Sequence, residues 1–102
     1  MHFLLMYDLV PDYAERRGQY RDAHLTKPWV AHNRGELVLA GALADPMDTA
    51  VLPFSADSPS VVEAFARTDP YVTSGLVTKW RVRPWTTVAG AAATTPVHPG
   101  ES

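Results

Sequence analysis

Strand-like and helix-like segments follow one another in this chain in an order that few folds can accommodate. Four segments have the length and apolar content of strands: HFLLMYD (residues 2–8), ELVLAGAL (36–43), DTAVLPFS (48–55) and GLVTKWRVRPW (75–85). Helical segments follow the first and the third strand, one from residue 13 to before Gly35 and one over SVVEAFAR (60–67). The order is therefore strand, helix, strand, strand, helix, strand, and two helices can cover only one face of the resulting sheet.

Turn and cap residues stand where this division requires them. Pro11-Asp12 and Asp45-Pro46 follow the first two strands, and Ser58-Pro59 combines a helix cap with a proline at the first helical position. The pattern predicts an α+β, ferredoxin-like βαββαβ fold with a four-stranded antiparallel sheet. Pro53 interrupts the third strand, so we expect an edge position or a bulge there. Pro28 should bend the first helix.

The first two strand segments are apolar on both alternating faces. HFLLMYD and ELVLAGAL thus predict strands that are buried on two sides, although the helices cover only one of these sides. A large exposed apolar face is unusual on a small monomer, and the simplest cover is the same face of a second copy. We therefore expect a homodimer that forms through the sheet face.

Composition excludes several other classes of protein. The 102 residues suffice for one domain, which we place at residues 1–87, and the small-residue segment 88–102 is predicted to be a flexible tail. Absence of cysteine excludes disulfides and thiolate chemistry. The net charge of −2 does not favour nucleic acid, and no apolar run has the length of a membrane span. The N-terminus has no basic leader, so a cytoplasmic protein is expected.

His24 lies on the inward face of the first predicted helix. A rotation of about 100° per residue places five side chains in one narrow sector: Tyr13, Arg17, Tyr20, His24 and Ala31. Arg21 stands one turn before His24, so the Arg-x-x-His pair directs a cation and a titratable ring toward a common region. The alternative is that His24 is a core residue whose two ring nitrogens both have hydrogen-bond partners. The four histidines show no metal-ligand spacing, and no metal site is predicted.

Asp69 precedes Pro70 at the exit of the second helix. In the first of two interpretations, Asp69 serves as the cap of the short turn PYVTS and has no other role. Alternatively, it can accept the N–H of one imidazole nitrogen of His24, because the fold lays the two helices side by side. That contact would orient the ring and leave the other nitrogen free as a base.

Taken together, these motifs resemble the YciI-type (YCII-related) domain family of the dimeric α/β-barrel group. The resemblance covers about residues 2–85 and rests on FLLMYD, on Arg21-x-x-His24, on GELVLAGAL-x-DP, on SPSVVEAFARTDPY and on the final RPW. It implies a ferredoxin-like dimer with a pocket centred on a histidine and an aspartate, which correspond here to His24 and Asp69.

These observations lead to two functional hypotheses. The first is a small cofactor-free enzyme of the isomerase or lyase type that abstracts a proton from a cyclic or phenolic metabolite. His24 would be the base, Asp69 its orienter and Arg21 the group that binds negative charge, while Tyr7 and Tyr71 would wall the pocket. The second is a non-catalytic dimeric module that binds a small ligand or a partner in the same pocket. The group hosts both kinds of protein, so the resemblance leaves the choice open.

Overall fold

A computed structural model describes residues 1–100, and its single sheet is organised around the first strand, β1 (His2–Leu9). The other strands are β2 (Gly41–Ala42), β3 (Thr49–Ser55) and β4 (Val77–Trp85). All neighbouring strands run antiparallel in the order β2-β3-β1-β4. The predicted α+β, ferredoxin-like architecture is confirmed.

The first helical segment is divided rather than simply bent. It consists of α1 (Tyr13–Arg16), a 3-10 turn (Arg17–Tyr20) and α2 (Arg21–Asn33). The interruption contains Gly18, whose backbone freedom disfavours a regular helix. Helix α2 continues through Pro28, and the chain leaves it at Gly35 with a φ of +78°, a conformation that favours glycine.

The second helical segment follows its sequence signals closely. Helix α3 (Pro59–Thr68) begins after Ser58, whose hydroxyl accepts a hydrogen bond from the Ser60 N–H at 3.3 Å. A short helix, α4 (Pro70–Thr73), follows directly and is capped by Asp69. The helices pack on one face of the sheet, where the buried core comprises Phe3, Leu5, Tyr7, Leu52, Phe54, Val62, Phe65 and Ala66.

The segment 36–43 differs from its prediction. Only Gly41–Ala42 form a strand, and Leu37 makes an isolated bridge to Phe54. Leu37 is buried, whereas Val38 and Leu39 are 46% and 70% exposed. A continuous strand over residues 36–43 is therefore wrong, whereas burial on two sides, which was expected with a second copy as the cover, stays a prediction.

Pro53 accounts for this interruption. The Ser55 N–H donates to the Glu36 carbonyl at 2.7 Å, and the residue two positions earlier, Pro53, faces the same segment but has no N–H to donate. The pairing offset changes by one residue between Leu37↔Phe54 and Gly41↔Val51. The extra residue stands in the segment opposite Pro53 and not in β3, which is continuous. An edge position for Pro53 is wrong, since β3 lies between β2 and β1.

The second face of the sheet, which we call the open face, has no helix of residues 1–100 packed on it. Its centre is apolar and half-buried, formed by Leu4 and Met6 of β1 and by Val51 and Pro53 of β3. Its β4 edge is basic, with the exposed side chains Lys79, Arg81 and Arg83, of which Arg81 pairs with Asp8 at 3.6 Å.

Beyond β4, residues 86–100 contain neither helix nor strand. Local hydrogen bonds join Thr95 N–H to the Thr87 carbonyl at 3.0 Å and Val97 N–H to the Val88 carbonyl at 2.8 Å. The division into a domain of residues 1–87 and a flexible tail of 88–102 stays a prediction, and residues 101–102 lie outside the described part. Within residues 1–100, no helix is long and apolar enough to cross a membrane.

Candidate active site

Asp69 and His24 are brought together at the junction of α2 and α4. One carboxylate oxygen, Oδ1 of Asp69, lies 2.7 Å from Nδ1 of His24 and also accepts the Tyr71 N–H at 3.0 Å. The two alternatives for Asp69 are therefore both realised, because the same carboxylate caps α4 and contacts the imidazole. The capping geometry at Asp69 directs Oδ1 toward the helix that carries His24.

Tyr7 completes the surroundings of this carboxylate. Its hydroxyl donates to Oδ2 of Asp69 at 2.8 Å, and both side chains are almost wholly buried. Burial raises the pKa of Tyr7 well above its usual range, and the charge of Asp69 and its hydrogen bond raise it further. Asp69 thus accepts hydrogen bonds from three donors, which offsets the cost of burying a carboxylate.

The same geometry decides which nitrogen of His24 is free. Because the carboxylate can only accept, Nδ1 of His24 carries the proton that it donates to Asp69. Nε2 makes no hydrogen bond within residues 1–100, and the His24 side chain is 14% exposed. Within the described residues, His24 is therefore not a core histidine with hydrogen-bond partners at both ring nitrogens.

Tyr71 holds the imidazole from one side. Its ring is stacked on that of His24, with centroids 3.7 Å apart and planes within 8°. Burial raises the pKa of Tyr71 to about 12; the neighbouring Tyr13 adds to this shift, and Arg21 and Arg17 oppose it. Stacking and the hydrogen bond to Asp69 together leave the ring little rotational freedom.

These side chains surround a cavity of about 200 Å³ between α2, β1 and the segment around β2. Its lining includes Tyr7, Tyr13, Arg17, Arg21, His24 and Tyr71. Pro28 lines it one turn after His24. A larger cavity of about 440 Å³ lies between α2 and α3, but neither the histidine nor the aspartate is part of it. We take the smaller cavity as the candidate site, since it contains the titratable cluster.

The structure places each site residue that the sequence predicted at or beside this cavity. Arg21 and His24 line the same space, as the Arg-x-x-His spacing suggested, and Asp69 lies beneath the imidazole. Tyr7 and Tyr71 line the cavity, but sequence reasoning missed that Tyr7 also binds Asp69. Its position on the helix-facing side of β1 was the available signal, although it could not specify a partner 62 residues away in the sequence.

Sequence reasoning also left Arg17 without a role. Its place on the helical stripe was recognised, and three residues of that stripe, Tyr13, Arg17 and His24, line the cavity. Within residues 1–100, no group of three or more His, Asp or Glu side chains is arranged to hold a metal ion. The chemistry that the arrangement offers is that of an oriented imidazole base beside two guanidinium groups.

Comparison with protein families agrees with the fold and with the motifs. The model of the YCII-related domain matches residues 1–86, so the chain belongs to this family. A comparison with curated protein sequences gives no match.

Among solved structures, the chain is similar to 5-chloro-2-hydroxyhydroquinone dehydrochlorinase (TftG) from Burkholderia phenoliruptrix AC1100, in complex with 2,5-dihydroxybenzoquinone. The TM-score is 0.72 and the sequence identity 22%, over 85% of this chain and 95% of the other. At this identity the likeness concerns the fold.

Proposed function

We propose that this protein is a small cofactor-free enzyme that abstracts a proton from a cyclic or phenolic metabolite, as in an isomerisation or an elimination. His24 is the general base and Asp69 orients it. Arg21 binds or stabilises negative charge, and Tyr7 and Tyr71 form walls of the pocket. The observation that carries the proposal is the 2.7 Å contact between Nδ1 of His24 and Asp69, which leaves Nε2 without a partner among the described residues.

In the proposed step, Nε2 of His24 takes a proton from a ring carbon adjacent to a carbonyl group. The C–H electron pair moves into the ring, and negative charge develops on the carbonyl oxygen, where a guanidinium such as that of Arg21 is favourable. In an isomerisation the proton returns to another carbon. In an elimination, the bond from the neighbouring carbon to an anionic leaving group breaks instead, and that group departs with the electron pair.

The size of the cavity supports a substrate with a single ring. A cavity of about 150 Å³ can hold one benzene molecule. The candidate cavity is somewhat larger, at about 200 Å³. The name of TftG describes an enzyme that removes chloride from a hydroxylated ring, and its bound compound has a single ring with oxygen substituents. Both facts make hydroquinones and hydroxyquinones the first compounds to test.

Solvent exchange separates the enzyme from a binding module. Compounds are first selected by thermal shift from a panel of hydroquinones, hydroxyquinones and lactones, and are then incubated with the full chain in deuterium oxide. We expect deuterium to enter the substrate with the native protein but not with His24→Gln. His32→Gln is the matched control, because His32 is an exposed histidine of the same helix and does not line the cavity. Tight binding without exchange would favour the non-catalytic module.

We also propose that two copies associate through the open face to form a dimeric α/β barrel. The support is the apolar centre of this face, together with the exposed side chains Val38 and Leu39 beside it. Covering this surface with the same surface of a second copy would remove it from water without any additional segment.

A further inference from the structure

We propose that Arg17 and Arg21 together form an anion-binding subsite of the cavity, so that its ligand is a single-ring compound with one negative charge. Arg17 is the new element, since the proposed reaction assigns it no role. That this ligand is also the substrate rests on the proposed function, whereas the anion subsite itself does not.

Within residues 1–100, both arginines lack a counter-ion. The arginine ion pairs within residues 1–100 are those of Arg16, Arg34, Arg67 and Arg81. Neither Arg17 nor Arg21 pairs with a carboxylate in this part of the chain, although both line the same cavity. Arg16 is the instructive contrast, because it stands next to Arg17 and pairs with Asp12 at 3.5 Å.

Arg17 is held at the cavity by groups that carry no negative charge. Its guanidinium lies 5.5 Å from the centroid of the Tyr13 ring and 3.9 Å from the sulfur of Met47, and the residue is half-buried. These contacts hold the cation at the cavity without neutralising it. A partly buried charge without a counter-ion is unfavourable, and a bound anion would supply the missing partner.

The charges around the cavity do not balance within the described residues. Arg17 lies in the 3-10 turn and Arg21 begins α2, and both line the cavity, so two positive charges border the same space. The buried carboxylate beneath the cavity is Asp69, and its oxygens are already used by Tyr7, His24 and the Tyr71 N–H. Two cations and one carboxylate leave one positive charge, which matches a ligand with a single negative charge.

The test measures how tightly three single-ring probes bind to the native full chain. Binding is followed by calorimetry or by NMR titration. The probes are 2,5-dihydroxybenzoate, its neutral analogue 2,5-dihydroxybenzamide, and 2-hydroxy-1,4-benzoquinone, whose single acidic ring hydroxyl provides one negative charge. We expect at least one anion to bind about tenfold more tightly than the amide, the range of a charge-assisted hydrogen bond. Added salt should weaken binding of the anion more than that of the amide. Which anion is preferred distinguishes a carboxylate from an ionised ring oxygen.

Single substitutions show which arginines cause the anion to bind more tightly than the amide. Arg17→Gln and Arg21→Gln should each remove most of the preference for the anion, whereas Arg17→Lys should retain part of it. Arg16→Gln is the matched control and should keep the preference unchanged, because Arg16 does not line the cavity. The proposal is overturned if neither anion binds more tightly than the amide at millimolar concentration, or if Arg16→Gln has the same effect as Arg17→Gln.

A further variant separates this inference from the proposed reaction. His24→Gln should abolish deuterium exchange but preserve the preference for the anion over the amide. If no compound exchanges deuterium and the preference persists in the native protein, the proposed reaction fails and the subsite stands. If exchange occurs but Arg17→Gln leaves both exchange and the preference unchanged, the subsite fails and the reaction stands.

Discussion

The two faces of the sheet handle polar groups in opposite ways. The helix-covered face buries an aspartate completely, and it can do so because Tyr7, His24 and the Tyr71 N–H all donate to that carboxylate. The open face keeps its charges exposed at and beside the β4 edge, and its apolar centre is covered by no helix of the described residues. Under the proposals made above, the helix-covered face would contain the chemistry and the open face would be the surface through which two copies associate.

The most severe test of the closed face is removal of its carboxylate. Asp69→Ala would leave the Tyr7 hydroxyl, His24 Nδ1 and the Tyr71 N–H without their acceptor, and each unsatisfied buried group costs about 1–3 kcal/mol. We expect the free energy of unfolding to fall by about 3 kcal/mol or more in urea denaturation. Asp69→Asn should cost less, because an asparagine also caps a helix. Asp12→Ala, at an exposed carboxylate, is the control and should change stability by less than about 0.5 kcal/mol. Equal effects at Asp12 and Asp69 would contradict the contrast between the faces.

The next test uses neighbouring leucines of the segment before β2. Leu37 is 6% exposed and Leu39 is 70% exposed. Leu37→Asp places a charge in the core and should lower the free energy of unfolding by about 3 kcal/mol, whereas Leu39→Asp should leave the stability of a single chain nearly unchanged. If the dimer forms as proposed, Leu39→Asp should shift sedimentation toward the monomer. A native protein that sediments as a folded monomer at micromolar concentration would end the dimer proposal.

The smallest expected effect concerns alkaline pH. The pKa values of Tyr7 and Tyr71 are raised in the folded protein, the latter to about 12, so the folded state binds these phenolic protons more tightly than the unfolded chain does. Their contribution to stability is therefore complete below about pH 10, the unfolded value, and is lost as pH rises toward 12 and beyond. Urea midpoints measured between these pH values should fall, and less steeply in Tyr71→Phe. An equally steep fall in that variant would show that Tyr71 is not protected by its burial.

Part of the candidate site could be predicted because it depends on residues that are close together in the sequence. The spacing of Arg21 and His24 places them on one side of any helix, and the residues around Asp69-Pro70 indicate a cap whatever the tertiary fold. The resemblance to the YCII-related family then suggested that His24 and Asp69 meet. Tyr7 as the third partner of Asp69 could not be predicted in the same way, because this contact joins segments 62 residues apart in the sequence. Arg17 was placed on the stripe of His24, but its role as a second cation of the cavity was not recognised.

The sequence by itself determined the order of helices and strands and the cap at Ser58, since periodicity and capping act within a few residues. Only the tertiary structure decided which apolar residues become buried and which polar groups meet. Leu37 and Leu39 are the same residue type in one apolar segment, ELVLAGAL, yet Leu37 is buried and Leu39 is exposed. The reason is that burial and hydrogen-bond partners are set by packing between segments. Leu37 bridges Phe54 of β3 and its N–H bonds to the Ala31 carbonyl of α2, whereas Leu39 lies between this bridge and β2.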